Sequence, residues 1–118
     1  MKDKWKFMCD EIHLMMKFEE IEEIEGDSQT LTEWLYIDVC DHSEHLEIIS
    51  KILTGKFENE LLWGNGYKAY VQRDYTEIHF NFEEENPNIK PCKLPTKLLR
   101  EIVEAWLEEY EKFRNSKK

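Results

Sequence analysis

The sequence predicts an α+β domain, a mostly antiparallel four-stranded sheet in the order β-β-α-β-β-α with its helices packed on one face. Three observations carry this expectation. Short segments alternate apolar and polar residues with a period of two, and a long C-terminal segment keeps one helical face apolar. The run Gly64-Asn65-Gly66 is strong turn chemistry between apolar segments. Strands with one apolar face and helices with one apolar stripe are both satisfied when the helices cover one side of an antiparallel sheet.

Near the start, Ile12, Leu14, Met16 and Phe18 alternate with Glu11, His13 and Lys17, the pattern of a half-buried strand. Met15 interrupts it, and Ile21 and Ile24 follow at helical spacing. A helix over residues 5–24 is the alternative, but it scatters the apolar positions around its axis, so the strand is preferred. The stretch EEIEEIEGD from Glu19 to Asp27 holds six acids and reads as a solvated edge or loop. From Leu31 to Val39 the chain alternates again, Leu35, Ile37 and Val39 on one face and Trp34, Tyr36 and Asp38 on the other, which predicts a second strand.

Asp41 followed by Glu44 matches an N-cap with a carboxylate in the first turn. Leu46, Ile49 and Leu53 then repeat at helical spacing, and Gly55 suits the C-terminal cap. After Leu61-Leu62-Trp63 and the glycine turn, Tyr67, Ala69 and Val71 form one strand; Ile78, Phe80 and Phe82 form the next, joined by a turn near Arg73-Asp74. Glu83 to Cys92 contains three consecutive acids and two prolines and reads as a loop. The last helix, from Leu94 to about Asn115, aligns Leu98, Leu99, Ile102, Val103, Trp106, Tyr110 and Phe113. Thr96 or Pro95 starts it, and Arg114, Lys117 and Lys118 sit where positive charge complements the helix dipole.

A chain of 118 residues supports one hydrophobic core, so residues 1–118 are expected to form a single domain. The 41% of apolar residues and 13% of aromatics are enough to fill it, despite 36% charged residues. No window approaches the roughly 20 apolar residues of a membrane span, and the start MKDKWKFMCDEIH lacks the apolar stretch of a secretory signal. Cys9, Cys40 and Cys92 are an odd number without a disulfide framework, which suits reduced thiols in the cytoplasm.

The formal charge of −10 repels phosphates, so nucleic acid is an unfavourable partner and a basic protein a favourable one. The asymmetry is internal as well. Residues 1–60 hold six Lys/Arg against sixteen Asp/Glu, whereas residues 91–118 hold seven against five. The negative field comes mostly from the first half.

Cys40, His42 and His45 form C-x-H-x-x-H, a chemically competent beginning for zinc, but the spacing lacks a fourth ligand and no second pair supplies one. A Cys–His nucleophile pair can be drawn between Cys40 or Cys92 and a histidine, without the motifs that normally bring oxyanion donors and a pocket. The acidic run 19–27 lacks the oxygen-ligand spacing and central glycine of an EF-hand loop. No catalytic residue, metal or cofactor is therefore assigned.

What remains is surface chemistry. Acidic strips beside aromatics suit a protein partner, since charge steers the encounter and buried aromatics anchor it. The candidate contact residues are Glu19, Glu20, Glu22, Glu23 and Asp27 in the acidic run, with Trp34, Tyr36, Asp38, Asp41 and Glu44 following it. Trp34, Tyr36 and Asp38 either face solvent together or are covered by the second helix as core. Trp63, Tyr70 and Tyr75 around the hairpin carry the same ambiguity.

With its size, acidity and the segments EWLYIDV, LLWGNGY and LPTKLLREIVEAWLEEY, the chain resembles the small acidic immunity proteins of contact-dependent growth inhibition and related polymorphic toxin systems. The resemblance implies a cytoplasmic, non-enzymatic inhibitor that binds a cognate toxin domain, often a nuclease, and covers its active site or substrate surface. It carries over no binding residue. The other expectations are a cytoplasmic adaptor or regulatory subunit with a basic partner, and a small enzyme or metal-binding protein using Cys40, His42 and His45.

Overall fold

The computed structural model describes residues 4–116. A hairpin of β1 (Trp5–Cys9) and β2 (Leu14–Phe18) leads through the acidic run to β3 (Glu25–Gly26), α1 (Ser28–Trp34) and a five-residue π-helical extension (Leu35–Val39). Then come α2 (Glu44–Leu53), β4 (Asn59–Trp63), β5 (Tyr67–Gln72), β6 (Tyr75–Phe80), β7 (Cys92–Pro95) and α3 (Thr96–Asn115). The class is α+β, but the sheet is five-stranded and antiparallel in the order β3-β7-β6-β5-β4, with β1 and β2 forming a separate two-stranded sheet.

Four expected elements change. Residues 31–39 are helical rather than a strand: Leu31, Trp34, Leu35, Asp38 and Val39 are buried at helical spacing, while Ile37, assigned to the apolar strand face, is exposed. Cys92–Pro95, read as loop and helix start, is a strand between β3 and β6. Asn59–Trp63 is a strand at the opposite side of the sheet, and Trp5–Cys9 precedes the strand expected near Leu14. Phe82 falls beyond β6 and is exposed, and Lys117 and Lys118 lie outside the described residues.

Each helix is set by local chemistry. Asp27 caps α1, its Oδ1 accepting from Gln29 N at 3.0 Å. Ser43, rather than Asp41, occupies the N-cap position of α2. The other end of α2 closes as a Schellman motif: Gly55 N–H donates to Ile52 O, Lys56 N–H donates to Lys51 O at 2.8 Å, and Gly55 has φ +87°. Pro95 precedes α3, and Thr96 N–H donates to Asp74 O at 3.1 Å in the β5–β6 turn. Thr96 Oγ1 also meets Thr76 Oγ1 at 2.8 Å, which pins the start of α3 to β6.

The helices lie on one face of the five-stranded sheet. Tyr67, Ala69, Val71, Thr76, Ile78, Cys92 and Leu94 point into that layer and are buried, against Leu31, Trp34, Leu35, Ile49, Ile52, Leu99, Ile102, Val103 and Trp106. The β1–β2 hairpin joins the same core through Leu14 and Met16, with Met16 O accepting from Thr32 Oγ1 at 2.7 Å. Burying aliphatic and aromatic side chains of this size contributes about 1.5–3 kcal/mol each. No helix among the described residues is long and apolar enough to cross a membrane.

Candidate partner-binding surface

The acidic run is held outward by two isoleucines. Ile21 is buried and Ile24 half-buried, whereas Glu19, Glu20, Glu22, Glu23 and Glu25 are exposed between them. Glu19 meets Lys6 Nζ at 3.5 Å and Glu23 meets Lys4 Nζ at 3.9 Å, contacts worth little in water. Among the described residues only four carboxylates are matched by a Lys or Arg, the other two being Glu104 with Arg100 and Asp41 with Arg114. Of the chain's 26 Asp and Glu, 25 lie among the described residues, and most of these have no Lys or Arg at ion-pair distance.

The Trp34, Tyr36 and Asp38 group does not present a shared face. Trp34 is 1% exposed and packs edge-on to the His45 ring at 5.9 Å, so it is core and not a contact anchor. Asp38 is 7% exposed, and its carboxylate accepts from Asn65 N at 2.6 Å, Gly66 N at 3.3 Å and Tyr67 N at 2.8 Å. A carboxylate committed to three backbone donors fastens the π-helical segment to the β4–β5 turn and is not available to a partner. Tyr36 is half-buried, 5.8 Å from the His13 ring. The helical turn keeps Trp34 and Asp38 on the buried face and rotates Tyr36 away from them, where a strand would have aligned all three.

Asp27 is a helix cap, and Asp41 pairs with Arg114 Nη1 at 2.8 Å beside Tyr110. Glu44 lies at the mouth of a shallow recess with Ile37, His42, His45, Trp63 and Asn65. Asp38 lines it as well, so the recess brings two predicted acids and one predicted aromatic together, although the Asp38 carboxylate is already taken up by the β4–β5 turn. Trp63 is 68% exposed, the most open of the tryptophans described, with Lys68 Nζ 5.8 Å from its ring centre.

The uncovered face of the sheet extends this surface. Cross-strand pairing puts Leu61 opposite Tyr70 and Trp63 opposite Lys68, and Tyr70 opposite Glu77 on the next strand. Leu61, Tyr70 and Tyr75 are exposed there, although Leu61 was not among the residues expected to matter. Its signal was the alternation of Leu61 and Trp63 across Leu62. Farther along the face, the His79 ring sits between Glu77 Oε1 at 3.2 Å and Glu83 Oε1 at 3.1 Å.

Cys40, His42 and His45 do not converge. Cys40, with φ 52°, donates its thiol to Tyr110 Oη at 3.4 Å, and its carbonyl accepts from Trp106 Nε1 at 2.8 Å. His45 turns inward, its Nδ1 donating to His42 O at 3.2 Å. Burial holds the His45 imidazolium below its usual pKa, partly opposed by that carbonyl and by Glu44. Among the described residues no group of three or more His, Cys, Asp or Glu side chains is placed to hold a metal ion.

No known family model, no curated protein and no solved structure matches the chain.

Proposed function

We propose that the chain is a cytoplasmic immunity protein that binds a cognate basic toxin domain and covers its active site or substrate surface. The observation that carries this reading is the surplus of exposed carboxylates, most without a cationic partner, in a chain of net charge −10. A nuclease must present positive charge to phosphate, and an acidic inhibitor competes for that same surface. Glu19, Glu20, Glu22, Glu23 and Glu44 supply the steering field, and Trp63 supplies an exposed anchor beside Glu44. Trp34 and Asp38 drop out of the contact set because the core and the β4–β5 turn already occupy them.

The test is co-expression with the C-terminal domain of a secreted protein encoded beside this chain, read as growth. Pull-down of that domain is the second readout. Restored growth with one basic domain recovered at equal stoichiometry supports the proposal. Growth arrest despite full expression of a folded chain, or recovery of a housekeeping complex in its place, transfers the function to the adaptor reading.

A further inference from the structure

The five-stranded sheet ends differently at its two sides. β3 has two residues and runs straight into the cap of α1, too short to template a neighbour. At the other side, β4 has five residues, pairs with β5 alone, and does so in an unbroken register without proline. Gly64 N–H donates to Tyr67 O at 2.9 Å, which makes residues 64 and 67 a hydrogen-bonded pair. The alternation of an antiparallel ladder then makes Leu62 with Ala69 and Glu60 with Val71 the next such pairs. The N–H and C=O groups of Asn59, Leu61 and Trp63 are directed away from β5, toward the open side.

The side chains reinforce the backbone. Leu61 is 40% exposed and Trp63 68% exposed, both on the uncovered face next to Tyr70. We infer that β4 is a docking edge that receives an extended basic segment of the partner protein as a sixth strand, with Leu61 and Trp63 as its apolar contacts. Strand addition of this kind takes affinity from main-chain hydrogen bonds and specificity from alternate side chains. The inference rests on the proposed reading of a basic protein partner.

Charge selects the occupant. A second copy would bring another −10 to the edge. A lysine- or arginine-bearing strand meets attraction instead. In the separate hairpin, β1 carries Lys6 and follows Lys4, and lysine on an edge strand disfavours further pairing there.

The probe is a short synthetic peptide of alternating valine and lysine, with a valine–glutamate peptide as control, and the readout is amide hydrogen exchange on the whole chain. At a peptide concentration about ten times Kd, exchange at the Leu61 and Trp63 amides slows roughly tenfold, because only the free fraction opens to solvent. The Glu60 and Leu62 amides, already bonded to β5, change little, and the acidic peptide protects neither set. L61P removes one outward donor where an edge strand tolerates proline, and L61K keeps every backbone group while adding like charge. Both abolish the protection, with circular dichroism verifying the fold.

Protection confined to residues 19–27, none at β4, or wild-type binding by L61K overturns the inference. Growth protection against the toxin domain separates the two proposals. A chain that protects cells but takes no peptide at β4 keeps the immunity reading and loses this one, whereas a chain that takes the basic peptide at β4 but protects against no toxin keeps the docking edge alone.

Discussion

The carboxylate of Asp38 occupies the space that a β-carbon on residue 64 would need. Such a carbon on Gly64 would lie 2.2 Å from Asp38 Cγ and 2.4 Å from Oδ1. The requirement for glycine here is a close approach, since Gly64 is not among the residues of positive φ. The same carboxylate gathers the backbone N–H groups of Asn65, Gly66 and Tyr67, so two segments far apart in sequence are locked by one side chain.

Breaking this lock has a measurable signature. Asp38→Ala leaves three inward-facing N–H groups without their acceptor and costs about 3 kcal/mol in denaturant unfolding. Gly64→Ala forces the carboxylate away and costs a comparable amount. The double variant is less than additive, because alanine at 38 vacates the space that the new β-carbon needs. Additive costs would show that the close approach is not what couples the two positions.

The Asp38 clasp also shows why residues 31–39 misled a reading by period. Leu35, Ile37 and Val39 alternate, and Thr32, Ile37 and Val39 are β-branched, so a strand satisfies propensity. The helical pattern was equally present in Leu31, Trp34, Leu35, Asp38 and Val39, but one of its members is an acid whose partners lie 27 to 29 residues away. In α3 the buried polar member, Thr96, stands at the first position and does not interrupt the stripe, and there Leu99, Ile102, Val103 and Trp106 follow the sequence directly. β7 was hidden for another reason: Pro91 precedes and Pro95 ends a four-residue strand held by pairing with β6 and, at Cys92 and Lys93, with β3, contacts no local pattern reveals. The exposed acids were legible from charge alone. Which tryptophan is exposed and which is core was not, because that depends on where α2 and α3 come to rest.

His45 gives the fold a pH dependence. Burial against Trp34 disfavours its protonated form, so its folded pKa lies below the ordinary 6.5 of the unfolded chain. Between those two values the unfolded state binds more protons, and stability rises with pH. Above 6.5 this contribution is level. The difference in unfolding free energy between the parent chain and His45→Gln therefore climbs as pH rises toward 6.5 and then flattens; a pH-independent difference would exclude His45 as the source.

The thiols separate by depth. Cys92 is 2% exposed, and burial, with the Asp27 charge second, pushes its pKa up to about 12, which leaves almost no thiolate at neutral pH. Cys9 is exposed on β1. Alkylation of the native protein modifies Cys9 while Cys92 reacts only after denaturation, as peptide mapping by mass spectrometry would show; equal labelling of both would contradict the packing of β7.

If unmatched carboxylates steer the partner, association is salt-sensitive. Raising ionic strength from low to about 0.5 M slows association with the purified toxin domain by at least about tenfold, while dissociation changes little. Reversing Glu20 and Glu22 to lysine lowers the low-salt rate and flattens the salt dependence. An association rate indifferent to salt removes the electrostatic account.

Two tryptophans, finally, divide stability from binding. Trp34 is enclosed by the core, so Trp34→Ala leaves a cavity the surrounding helices cannot close and costs about 3–5 kcal/mol of stability. Any loss of partner binding by that variant follows from unfolding and disappears when binding is referred to the folded fraction. Trp63 stands open at the end of β4, so Trp63→Ala leaves unfolding within about 0.5 kcal/mol of the parent chain. Its effect appears in the complex: an aromatic that becomes enclosed only on docking is worth about 2 kcal/mol, a loss of roughly thirtyfold in affinity. Calorimetric titration with the toxin domain, beside a denaturant melt of each variant, reads both quantities. Unchanged affinity for a folded Trp63→Ala would place the contact elsewhere, on the acidic run between β2 and β3.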